Sequence, residues 1–209
     1  MKRLLIVGAS NFGREVLDWA LSIPATQRNW EVVGFLDNRP DILAPFSTPY
    51  PILDAPETYA IQPEDCFVCA VGDPQARLQY ATMLSKRGAT FINILHPTAI
   101  ISPSAHLGIG CILCPGVVIG ANATIGNFVV LNTYSTIGHD ASLGDGCTIN
   151  SHCDVTGWAK LEEGVFMGSH ASILPHIVAQ AYAVIGAGSV AIRNVPAHQT
   201  VVGVPAKRI

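Results

Sequence analysis

Between Leu95 and Pro196 the chain divides without a break into seventeen blocks of six residues. The first residue of each block is Leu, Ile, Val or Met in fifteen of them, Ala179 and Ala191 being the exceptions, and the fifth is always Ala, Ser, Cys, Val or Ile. A period of six fits neither the 3.6 of a helix nor the 2.0 of a flat strand. It fits the hexapeptide parallel β-helix, in which three short strands close one triangular coil and large and small apolar side chains fill the prism together. Slightly under six coils, at a strand spacing of about 4.8 Å, predict a prism about 27 Å long.

Coil arithmetic then places residues 18 apart above one another on the same face. His139 stacks beside Gly157, Asp140 beside Trp158, and Asn132 beside Asn150. Gly157 has no side chain guarding its backbone N–H, and a backbone donor is what a developing oxyanion requires. A base next to such a donor is the minimal acyl-transfer site. His152 and His170 share the same spacing and predict a surface ladder.

Residues 1–94 follow a different rule. RLLIVGAS, EVVGFLD, CFVCAVG and TFINIL read as strands, Phe12 to Ile23 and Pro74 to Arg87 as helices, and the alternation implies a parallel sheet. The segment from Pro40 to Pro63 is too rich in proline for long regular elements. Gly8, Ser10 and Gly13 form a G-x-S-x-x-G turn between the first strand and helix, where helix N–H groups can receive a phosphate. Ser10 in place of a middle glycine does not favour NAD. Asp37 follows the second strand, where an acid binds ribose in dinucleotide-binding sheets.

Charge and composition exclude other classes. A formal net charge of -3 with no Lys/Arg run removes the footprint of a nucleic-acid binder. The opening MKRLLIVGAS has two positive charges, but Leu4 to Val7 is too short for a signal-peptide core and reads as a strand. No apolar run approaches the ~18 residues of a membrane span, so a cytoplasmic location is expected. Cys66 and Cys69 lie in an expected buried strand, and Cys111, Cys147 and Cys153 fall at the small fifth position. The cysteines therefore read as buried core thiols, and no metal site is expected.

The stretches GAS, FLD, AVGD, LHP, LNTYSTIGHD and VVGVPAKRI together resemble the NeuD/PglD-like sugar O- and N-acyltransferases over essentially the whole chain. The resemblance implies a Rossmann-like sugar-nucleotide domain (1–94), a left-handed β-helix (95–196) and a C-terminal tail (197–209). It implies a homotrimer that transfers an acetyl group from acetyl-CoA to a nucleotide-linked amino sugar for surface glycans. His139 matches the general base, Asp140 the acid beside it, Asn132 an active-site asparagine, and Gly157 the donor to the thioester carbonyl. Gly186, Ala187 and Gly188 fall where CoA contacts lie, with Lys207 and Arg208 as candidates for its phosphates. Gly8, Ser10, Gly13, Asp37, Gly72 and Asp73 fall on the substrate side. Two departures are Asn11-Phe12, where many members carry Gly-His, and Thr148, a histidine in some. A sialic-acid-type O-acetyltransferase and a non-catalytic nucleotide-binding scaffold stand as alternatives.

Overall fold

The computed structural model describes residues 1–209. Four parallel strands, β1 (Lys2–Val7), β2 (Trp30–Leu36), β3 (Ile52–Asp54) and β4 (Asp65–Cys69), form a sheet in the order β3-β2-β1-β4. Side chains of β1 alternate between two cores. Leu4 and Ile6 join the one packed by helix α1 (Asn11–Ser22), Leu5 and Val7 the one packed by helix α2 (Pro74–Lys86). With both faces covered, the strand is apolar throughout, as buried parallel strands are. Helix α2 starts on Asp73, whose side chain accepts the Ala76 N–H at 2.8 Å, and Pro74 occupies the first turn, where no N–H is needed.

Two elements differ from the sequence expectation. TFINIL adds no full strand to the sheet: Phe91 makes a single bridge to Phe67. The chain is drawn away at Asn93, whose Oδ1 accepts from the Cys111 amide and whose Nδ2 donates to the Gly108 carbonyl. Ile94–Leu95 then pairs with Ile112–Leu113 as the first strand of the prism. The proline-rich segment, in turn, contributes β3, an edge strand, where neighbouring prolines cost no ladder hydrogen bond.

From Ile94 to Ala191 every strand is two residues long. Each pairs in parallel with the strand 18 residues on, as Thr136 with Asp154 and Ile137 with Val155. The first of the three faces runs from His106–Leu107 to Val178–Ala179 and the second from Ile100–Ile101 to Val190–Ala191. The third runs from Ile94–Leu95 through Val184–Ile185 to Thr200–Val202, against which Lys207–Arg208 returns antiparallel.

The corners share one backbone feature. In every block from the one holding Gly110 to the one holding Gly188 the fourth residue has φ between 55° and 70°. Glycine adopts this region freely and Asn, Asp and His tolerate it, whereas Phe128, Tyr134, Trp158 and Tyr182 are costly occupants. Residues at this position form rows along the prism. Tyr134, His152 and His170 stack with centroids 5.4 and 4.8 Å apart, close to the coil spacing.

All six cysteines are free and buried. Burial pushes the thiols of Cys111, Cys147 and Cys153 up to about 11, 12 and 11, so they act as small hydrophobes. The structure places no group of three or more His, Cys, Asp or Glu side chains where they could hold a metal ion. No helix is long and apolar enough to cross a membrane.

Candidate active site

His139 sits on the corner between the strands Thr136–Ile137 and Ser142–Leu143, with its side chain 63% exposed. Its Nδ1 lies 2.8 Å from Asp140 Oδ2. An ionised carboxylate only accepts, so Nδ1 carries the proton of the neutral ring and Nε2 keeps a lone pair. Nε2 faces Gly157: a Cβ on that residue would stand 2.7 Å from it. The Gly157 N–H has no acceptor within the chain. Gly138 keeps this donor approachable, because a Cβ there would lie 2.5 Å from the Gly157 nitrogen. Sequence spacing placed His139 beside the Gly157 backbone donor, and the structure brings these two groups together. Trp158 follows Gly157, its amide bonded to the His139 carbonyl at 3.1 Å and its ring edge-on to the imidazole, centroids 6.4 Å apart at 85°.

A second site lies at the carboxyl ends of β1 and β4, the crevice where open parallel sheets bind ligands. Gly8, Ser10, Asp37, Asn38, Gly72 and Tyr80 are among the residues around a cavity of about 270 Å³. Asp37 is buried and fully engaged. Its Oδ2 accepts from the Ala9 amide at 2.8 Å, and the Arg39 guanidinium grips both oxygens at 2.9 Å. Burial pushes the Asp37 carboxyl up, but the bonds from Arg39 and the Ala9 amide outweigh it and hold the group below its usual range. Arg39 escaped the sequence reading. Its only signal was a cation two residues after the ribose-type acid.

Gly72 also borders a second cavity, of about 340 Å³, at the junction of the two domains. Asn132, Thr148 and Asn150 form its prism side and Phe12 and Glu15 its α1 side. Asn132 donates to Asn150 Oδ1 at 3.3 Å, in the coil register. Beneath this junction lies Arg77 of α2, 0% exposed. Its guanidinium donates to the carbonyls of Val71 and Gly72 in its own domain and of Phe128, Gly146 and Cys147 in the prism. A further bond reaches Thr148 Oγ1 at 2.8 Å, so Thr148 is part of this hub. No carboxylate pairs with Arg77, and burial pulls its pKa down.

Other expected site residues lie elsewhere. Gly13 is a packing residue, since a Cβ there would meet the Gly8 carbonyl. Asp73 caps α2. Asn132 and Ala187 lie on the corner before that of His139 and Gly157, so one chain does not gather all four. Gly186 bonds to the Val201 carbonyl, and Lys207 and Arg208 are exposed on the terminal hairpin at the end of the prism.

Residues 3–84 match the PglD N-terminal domain, and residues 98–133 match the bacterial transferase hexapeptide of six repeats. The fold is similar to PerB from Caulobacter crescentus, solved with CoA and GDP-perosamine: TM-score 0.90, 26% identity, covering 100% of this chain and 98% of that one. It is similar to the acetyltransferase domain of PglB from Neisseria gonorrhoeae with acetyl coenzyme A (TM-score 0.90, 25% identity, coverage 100% and 99%). It also resembles WeeI from Acinetobacter baumannii (TM-score 0.86, 25% identity, 100% of both chains). Among curated proteins no sequence matches the chain. A prism that sets an imidazole beside a free glycine N–H, in a fold similar end to end to acetyltransferase structures that hold CoA or acetyl coenzyme A, is that of a hexapeptide acyltransferase. Its N-terminal domain is of the PglD type, and over its whole length the chain is similar in fold to the PglB, PerB and WeeI proteins.

Proposed function

We propose that this protein is an acetyl-CoA-dependent N-acetyltransferase that acts on a nucleotide-linked amino sugar for surface glycan synthesis in the cytoplasm. The observation that carries the reading is the pairing of His139 Nε2 with the unpartnered Gly157 N–H. The amine nitrogen of the sugar attacks the thioester carbonyl carbon while His139 Nε2 takes the amine proton. Asp140 holds the other ring nitrogen and stabilises the imidazolium that forms. The Gly157 N–H steadies the oxyanion, the C–S bond breaks, and the CoA thiolate leaves and is reprotonated.

The nucleotide is assigned to the crevice at Gly8, Ser10, Asp37 and Gly72, and the sugar to the junction cavity beyond Gly72. PerB, which binds GDP-perosamine and CoA, supports an activated amino sugar as acceptor. Because the His139 corner and the Asn132 corner are separate in one chain, the complete site is assigned to a homotrimer in which neighbouring copies bring the two together. The outward-facing Ile100 and Val118, 64% and 37% exposed on the face that leads to His139, favour a covered surface there. CoA then lies in the groove between copies, with Ala187, Gly186, Lys207 and Arg208 as candidates along its length.

The deciding experiment is thiol release from acetyl-CoA by wild type and His139→Ala with UDP-, GDP- and dTDP-linked 4-amino sugars. Turnover in the wild type and a loss of roughly 10²- to 10⁴-fold in the variant establish the reaction and name the nucleotide. Turnover only with sugar hydroxyls moves the reading to an O-acetyltransferase.

A further inference from the structure

Trp158 is the bulky residue at the corner next to His139 and Gly157. It is 54% exposed, so burial does not account for it. Its φ of 62° belongs to a region that bulky side chains avoid. Phe128, Tyr134 and Tyr182 share that conformation at the same corner position, but of these four only Trp158 adjoins Gly157 and meets the His139 ring. The indole is also held firmly. It stacks on His176, centroids 6.1 Å apart at 11°, meets His139 at its edge, and has its amide tied to the His139 carbonyl.

We infer that Trp158 determines which acyl group the enzyme transfers. The inference rests on the acyltransferase reading of the His139 corner. There the thioester carbonyl points to the Gly157 N–H, so the acyl carbon chain lies against the next side chain, which is Trp158. A rigid indole at that point leaves room for a methyl group and closes the space that further methylenes would fill. His176 behind it prevents the ring from swinging away along the prism. The neighbouring rows show what an open corner looks like, since Gly146, Gly164 and Gly188 hold the corresponding position elsewhere.

The test compares kcat/KM for acetyl-, propionyl- and butyryl-CoA in wild type, Trp158→Ala and Trp158→Phe, with the trimer checked by light scattering. The wild type is expected to fall steeply with chain length. Trp158→Ala should raise the butyryl-to-acetyl ratio by about tenfold or more, within the range a few methylenes command in an apolar pocket. Trp158→Phe should lie between them. A ratio unchanged within about twofold overturns the assignment, as does a Trp158→Ala protein that dissociates, which would make the indole an interface residue. Absence of thiol release by the wild type from every donor overturns the acyltransferase reading itself, and is told apart by that control.

Discussion

His139 and Asp140, neighbours in sequence, hydrogen-bond through Nδ1 and Oδ2 at 2.8 Å, although the turn between them places Asp140 at φ 58°. That positive φ is what brings the carboxylate round beside the ring of the preceding residue. The contact fixes the tautomer, and the tautomer leaves Nε2 free to accept a proton. Asp140→Asn keeps the backbone, because asparagine tolerates this region, but no longer dictates which nitrogen is protonated. The expected result is a kcat lowered by at least about tenfold, and by no more than the 10²–10⁴ of a lost base, with an unchanged melting temperature. Steady-state kinetics beside a thermal melt on each variant check it.

Gly157→Ala separates geometry from stability. The new Cβ would stand 2.7 Å from His139 Nε2, yet the imidazole is the far end of an exposed side chain and can move aside. Folding should therefore be nearly unaffected, within about 0.5 kcal/mol as for other surface changes. Activity should fall about 10²-fold, since displacing a reacting group by an ångström is enough to do so. An alanine variant of normal activity would remove Gly157 from the site.

Arg77→Met tests the hub between the domains. Methionine fills similar space but leaves the carbonyls of Phe128 and Gly146 and the Thr148 hydroxyl without their donor. A loss of about 2–5 kcal/mol is expected, offset in part because a desolvated charge is also removed. In a chain of this size that lowers the melting temperature by at least about 5 °C, read by calorimetry.

Asp37 sets an acid limit. Its folded-state pKa lies below that of an ordinary aspartate, so the unfolded chain takes up a proton first as pH falls. The stability it contributes is complete above the ordinary carboxylate range and is lost as pH drops through the lower, folded-state value. Melting curves between about pH 3 and 7 should show this slope in wild type and a flatter one in Asp37→Asn.

The pairing of His139 with Gly157 was legible because it depends only on a spacing of 18, which the apolar first positions state repeatedly. Cys111, Cys147 and Cys153 were legible for the same reason, as occupants of small interior positions. Arg77 was not. An arginine inside a helical segment reads as a solvated charge, and its acceptors Phe128 and Thr148 lie 51 and 71 residues away. Asp37 lines the crevice at the strand ends, as its place after the second strand suggested, but its grip by Arg39 depends on how the following turn folds back. The short strand β3 was hidden for a related reason: three residues at a sheet edge leave no periodic signal among prolines. Asn132 was expected by resemblance to be an active-site asparagine, and in a single chain it occupies the corner before that of His139, a placement that no spacing of 18 from His139 could reveal.

The uniform register of the prism makes the length of the chain itself a structural variable. Between His139 and Gly157, removing a single residue would rotate every later side chain out of phase, turning aliphatic groups to solvent and polar ones inward. Removing one entire coil would instead shorten the prism by about one strand spacing and restore the phase. Descent with insertions and deletions should therefore proceed in this part of the molecule by whole turns, while the loops of the first ninety residues remain free to lengthen one residue at a time.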